Sequence, residues 1–112
     1  MDVEFLYTEV CQDADAAWLA LCTILDELPL DATVRRIRVN SIEEAARLGF
    51  SGSPTIRFNG MDVQGPPAGE PPGLGCRKFF HHDGQTRGWP EVETIRSALH
   101  LAAGGGMFCC DV

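Results

Sequence analysis

The strongest constraint on the fold is a strand, a cysteine and a helix in immediate succession, matched further along by Ser53-Pro54-Thr55. Asp2-Val3-Glu4-Phe5-Leu6-Tyr7 alternates polar and apolar side chains, the period of a strand with one buried face. Cys11 follows it, and a helical pattern begins near Asp13. Gly52-Ser53-Pro54-Thr55-Ile56-Arg57-Phe58-Asn59-Gly60 reads as a proline-led strand closed by a tight turn. A thiol at a helix N-terminus meets unpaired N–H groups and the positive end of the helix dipole, and both favour thiolate. The opening of the chain therefore points to thiol chemistry.

The rest of the chain divides cleanly. Asp13–Leu28 is predicted as a helix with an apolar stripe of Trp18, Leu21, Cys22, Leu25 and Leu28, ended by Pro29. Thr33–Val39 reads as a second strand. Ser41 and Glu44 form a capping box for a second helix, which Gly49 stops in the left-handed conformation. Pro54–Phe58 is the third strand, and the Asn59-Gly60 turn returns the chain as a fourth, Met61–Gln64. Gly65–Gly75 is rich in proline and glycine and reads as a functional or disordered loop. Cys76–Phe80 is a further strand, with a turn at Asp83-Gly84. Pro90 suits the first position of a last helix whose stripe is Val92, Ile95, Leu99 and Ala102. Gly104-Gly105-Gly106 ends that helix by composition, leaving one domain over residues 1–103 and a flexible Cys-Cys tail over 104–112.

The order βαβαββ, an inserted hairpin and a final helix defines an α/β fold, a mixed sheet with helices on both faces. A right-handed crossover makes the first two strands parallel. The third runs antiparallel to the first, which brings its start near Cys11, and the fourth returns the chain, with Cys76, toward the same end. This placement rests on the Asn59-Gly60 turn. Were Met61–Gln64 a loop, Cys76 would open the fourth strand at the opposite pole.

Cys11 before the first helix and Ser53-Pro54-Thr55 opening the third strand resemble the thioredoxin and glutaredoxin superfamily. The resemblance implies a thioredoxin-like fold over nearly the whole chain and a cis Pro54 that packs beside Cys11 and shapes a peptide-binding surface. The chain departs from the family at Cys11-Gln12-Asp13-Ala14, which lacks the resolving cysteine of Cys-x-x-Cys, so disulfide exchange within that motif is excluded. The chain is also similar to small thioredoxin-like proteins labelled as relatives of alkylmercury lyase. Phe108-Cys109-Cys110 resembles the vicinal cysteines near the C-termini of mercuric reductase and organomercurial lyase.

Two function classes follow for the five cysteines. In the first, Cys11 attacks a disulfide and Cys76 resolves the mixed intermediate, with Pro54 beside them; the partner is a thiol or disulfide substrate. In the second, Cys109 and Cys110 capture a soft metal ion such as Hg(II) and Cys11 or Cys76 shares it, since thiolates prefer soft metals. Carbon–mercury cleavage, which the lyase label implies, needs paired thiolates and a proton donor, and Asp13 and Asp15 stand nearest Cys11. A third reading keeps the fold without the chemistry. Glu9, Asp13 and Asp15 are full negative charges that oppose a thiolate at Cys11. Cys22 lies on the helix stripe and reads as core, and His81-His82 as part of a solvated turn.

Composition removes other classes. Net charge is −7 over 112 residues, which argues against nucleic acid and anionic membrane surfaces as partners. No apolar run approaches the ~20 residues of a membrane span. Met1 leads straight into the first strand with no leader pattern, so the expected location is the cytoplasm, where free thiols persist.

Overall fold

The computed structural model describes residues 1–27, 31–64 and 71–110, the last seven of these as backbone only. The elements in chain order are β1 (Asp2–Tyr7), α1 (Ala14–Glu27), β2 (Thr33–Arg38), α2 (Ile42–Leu48), β3 (Thr55–Phe58), β4 (Met61–Asp62), β5 (Phe79–Phe80), β6 (Thr86–Arg87) and α3 (Val92–Cys110). One mixed sheet has the order β2-β1-β3-β4, and β5 and β6 form a second, two-stranded sheet. β1 runs parallel to β2 and antiparallel to β3, in the register Val3 to Val34 and Val3 to Phe58.

The alternation along β1 sorts two cores. Val3 and Phe5 point to one face, where Ile56 and Phe58 of β3 join Leu21 and Ile24 of α1 and Ile95 and Leu99 of α3. Leu6 points to the other, where it meets Val39, Ala45 of α2 and Phe50. Helices thus cover both faces, α1 and α3 on one side and α2 on the other. Burying each of these large apolar side chains contributes about 1.5–3 kcal/mol. Bidentate bonds from Arg96 to Glu27, at 3.0 and 2.8 Å, tie α3 to the end of α1.

The local punctuation does what its chemistry requires. Ser41 Oγ accepts from Glu44 N at 3.1 Å, and the Glu44 carboxylate reaches back one residue further, to Asn40 N at 2.9 Å. Gly49 closes α2 at φ 67°. Asn59 and Gly60 both adopt positive φ, 53° and 85°, the conformation a two-residue hairpin turn needs to match strand twist. That turn returns the chain as a fourth strand, with Arg57 paired to Asp62 across it, but the strand ends at Asp62 and not at Gln64, because Val63-Gln64 already turn away.

Several boundaries differ from the sequence expectation. α1 buries Ala14, Ala17, Leu21 and Ile24, while Trp18, Cys22 and Leu25 sit at the half-buried margin. The helix is turned so that small alanines face the sheet, and Trp18 packs edge-on against Phe5 at 5.2 Å with Arg36 over its ring at 4.6 Å. Cys22 is therefore not a core residue. Leu28 and Pro29, and residues 65–70 of the long loop, lie outside the described residues. The predicted strand Cys76–Phe80 is strand only at Phe79–Phe80, because its partner β6 is two residues long and Cys76 pairs elsewhere. Pro90 precedes α3 rather than opening it; Glu91 O accepts from Ile95 N at 3.1 Å and so occupies the cap.

α3 runs on through Gly104-Gly105-Gly106, where composition places its end. Glycine in a helix costs about 1 kcal/mol relative to alanine but keeps its N–H, so the hydrogen-bond ladder is weakened and not cut. Cys109 and Cys110 fall on the last turn, and their side chains lie outside the described ones.

Candidate dithiol site

The site forms where the end of β1 meets the start of β3. The chain leaves β1 through Thr8, whose N–H donates to Ser53 Oγ at 3.0 Å, and turns so that Cys11 N donates to Thr8 O at 3.2 Å. Cys11 precedes Asp13, the residue whose carbonyl accepts the first helical bond of α1, from Ala17 N at 3.1 Å. The acidic residue, and not the thiol, therefore stands at the helix cap. The Cys11 side chain turns inward; the residue is 7% exposed, and its Sγ donates to Ser53 O at 3.6 Å. The Ser53–Pro54 peptide bond is cis, as the family resemblance implies, and Pro54 is fully buried.

Cys76 is delivered to this corner by a single parallel bridge to Ser53. Ser53 N donates to Gly75 O at 2.9 Å, and Arg77 N donates to Ser53 O at 2.8 Å. The residue between those two bonds is held beside Ser53, whose carbonyl also accepts from Cys11 Sγ, so the two cysteines share one backbone neighbour. The two cysteines that the sequence analysis paired are thus neighbours, and both are free thiols. They differ in access, since Cys76 is exposed and Cys11 buried. Negative charge on Cys11 is the main cause that pushes the Cys76 thiol above its ordinary range, and Asp13 adds to it while Lys78 opposes it.

Three residues that the sequence reading did not assign hold this arrangement. Arg77 donates to both oxygens of Asp62, at 2.7 and 2.8 Å, and to Thr55 Oγ1 at 3.2 Å. Its guanidinium also lies 4.8 Å from the centre of the Phe79 ring. This bidentate, largely buried pair pins the Cys76 segment to β3 and β4. Gly88 is buried directly against the Asp13 carboxylate, so that a β-carbon at position 88 would overlap it. No local sequence signal marks these contacts, because each joins segments distant in the chain. Glu9 turns away from the thiols toward Arg38, 3.6 Å away. Val10 is 81% exposed and, with Thr8 and Asn40, lines a hollow of about 220 Å³ beside the corner.

The remaining candidates lie elsewhere. Cys22 sits mid-helix, its thiol raised by burial first and by Asp26 second. His81 Nε2 lies 2.7 Å from Trp89 O, and His82 Nδ1 lies 2.8 Å from Glu91, so the paired histidines brace the β5–β6 turn against the start of α3. Among the described residues no group of three or more His, Cys, Asp or Glu side chains is arranged around a metal position. The candidate ligands Cys109 and Cys110 fall outside the described side chains. No described helix is long and apolar enough to cross a membrane.

Comparison of the chain with protein-family models, with curated proteins and with solved structures finds no match.

Proposed function

We propose that this chain is a thioredoxin-like dithiol protein that exchanges disulfides through Cys11 and Cys76. The observation that carries the reading is the Ser53–Cys76 bridge, which sets an exposed thiol beside a buried one at a cis-proline corner. The strand order β2-β1-β3-β4, with β1 and β2 parallel and β3 antiparallel, supports the thioredoxin-like assignment. Oxidation would join the two sulfurs, release two protons and pass two electrons to a partner disulfide, which leaves as two thiols. Free thiols of this kind persist in a reducing compartment such as the cytoplasm. Mild oxidation followed by peptide mapping tests the reading. A reversible Cys11–Cys76 crosslink is expected; Cys76 found only with Cys109 or Cys110 would overturn it.

A second reading draws support from Asp13, whose charge reaches the thiol pair. Two sulfurs and a carboxyl group are the elements needed to take Hg(II) from an organomercurial. Both sulfurs would bond the metal while the carbon–mercury bond breaks. Its electron pair would stay on carbon, which receives the proton that one thiol releases, passed through Asp13. Cys109 and Cys110 would serve as the capturing ligands on this reading. Titration with Hg(II) against a competing thiol, on the full chain, on Cys11→Ser and on a chain lacking residues 107–112, separates the classes. Unchanged affinity in both variants would exclude it.

A further inference from the structure

We infer that Cys76, and not Cys11, is the thiol that meets the partner, so that the mixed disulfide forms on Cys76 and Cys11 resolves it. The inference rests on the exchange reading and assigns the order of its steps. It reverses the order that the position of Cys11 before a helix suggests.

Two observations carry it. The first is access. Exchange requires an in-line approach of one sulfur to a disulfide, and Cys11 is 7% exposed with its Sγ turned toward Ser53 O, whereas Cys76 is exposed. A partner sulfur reaches Cys76 without moving the corner. The second is anchorage. The flanking backbone bonds of Gly75 and Arg77 to Ser53, and the Arg77–Asp62 pair, hold Cys76 in place, so that a partner attached to it stays beside Cys11. A buried sulfur beside an exposed, anchored one is the arrangement of a resolving group next to the group that meets the partner.

The steps balance. When the oxidised protein meets a small thiolate, that sulfur bonds Cys76 Sγ, the Cys11–Cys76 bond breaks and Cys11 departs as thiolate. A second thiolate then attacks the partner sulfur, and Cys76 leaves as thiolate and takes up a proton. In the reverse direction the Cys76 thiolate attacks the partner disulfide and releases one thiolate. Cys11 thiolate then attacks Cys76 Sγ and releases the second, and the two protein sulfurs are left oxidised.

Glutathione disulfide, added to the reduced full-length chain, to Cys76→Ser and to Cys11→Ser, tests the order by intact mass and site mapping. Cys11→Ser is expected to accumulate a stable glutathione adduct on Cys76. In Cys76→Ser, modification at Cys11 is expected to be at least about tenfold slower than total reaction of the unaltered site. Cys11→Ala, which places no hydroxyl in the buried position, is run beside Cys11→Ser so that a folding defect in one does not decide the result. Modification of Cys11 in Cys76→Ser at the unaltered rate would overturn the order while leaving exchange intact. An unaltered chain that keeps glutathione on Cys76 without forming the Cys11–Cys76 bond would instead overturn the exchange reading, and with it the resolving role of Cys11.

Discussion

The carboxylate of Asp13 occupies the space that a side chain at position 88 would need: a β-carbon on Gly88 would overlap Asp13 Oδ2 and stand 2.8 Å from Asp13 Cβ. Gly88→Ala must therefore shift the cap residue of α1, at a cost of about 1–3 kcal/mol for overpacking. Removing the obstacle should recover most of that loss. The double variant Asp13→Ala/Gly88→Ala is expected to be more stable than the sum of the single losses, and denaturant unfolding of all three proteins measures the difference. Strict additivity would show that the close approach is relieved elsewhere.

Arg77 links the Cys76 segment to β4 through its two bonds to Asp62. Arg77→Met keeps much of the stem packing and leaves the Asp62 carboxylate, 10% exposed, without its partner. A loss of about 2 kcal/mol is expected, the range for charged hydrogen bonds. Formation of the Cys11–Cys76 disulfide should slow in the same variant, because Cys76 is no longer held at the corner. Unfolding curves and oxidation kinetics are read on one preparation.

The pH dependence of Cys76 follows from its neighbours. Negative charge at Cys11 and at Asp13 disfavours a second negative charge at Cys76, so its thiol titrates above the usual range. Alkylation of Cys76 should keep rising with pH beyond the point where an ordinary exposed cysteine levels off. Cys11→Ser removes the larger cause and should move the profile to lower pH, and Asp13→Asn should move it in the same direction by less. Alkylation followed by site-resolved mass spectrometry over a pH series provides the check; an unmoved profile in Cys11→Ser would mean that the sulfurs do not sense each other.

Cys22 is half-buried on the margin of α1, away from Cys11 and Cys76. Cys22→Ala is expected to cost less than about 1 kcal/mol, since alanine favours the helix and little surface is lost. Disulfide exchange should be unchanged. Parallel unfolding and exchange assays decide this, and lost exchange at unaltered stability would make Cys22 a functional thiol.

Ser41 caps α2 with its side chain bonded to Glu44 N. Ser41→Ala should cost about 1 kcal/mol, the usual worth of an N-cap oxygen. The Leu6, Val39, Ala45 and Phe50 core beneath α2 would loosen, and thermal unfolding measures the effect.

The features legible in the chain are those that neighbouring residues decide between themselves. The alternation of Asp2–Tyr7, the cap at Ser41, the stop at Gly49 and the Asn59-Gly60 turn each draw on neighbouring residues, and each stands where the residues require. From the turn follows the return of the chain, and from the return follows the meeting of Cys76 with Cys11. Tertiary structure alone decided the rest. The rotation of α1 depends on which side chains the sheet admits, so alanines took the interior and Trp18 went to the margin beside Arg36. The extent of α3 is not legible in composition, because glycine weakens a helix without blocking it. The Arg77–Asp62 pair and the fit of Gly88 against Asp13 join residues far apart in the chain and have no spacing to betray them. The same holds for the property that separates the two thiols. Burial of Cys11 and exposure of Cys76 come from how the corner packs, since an isolated cysteine carries no mark of the depth at which its sulfur will lie.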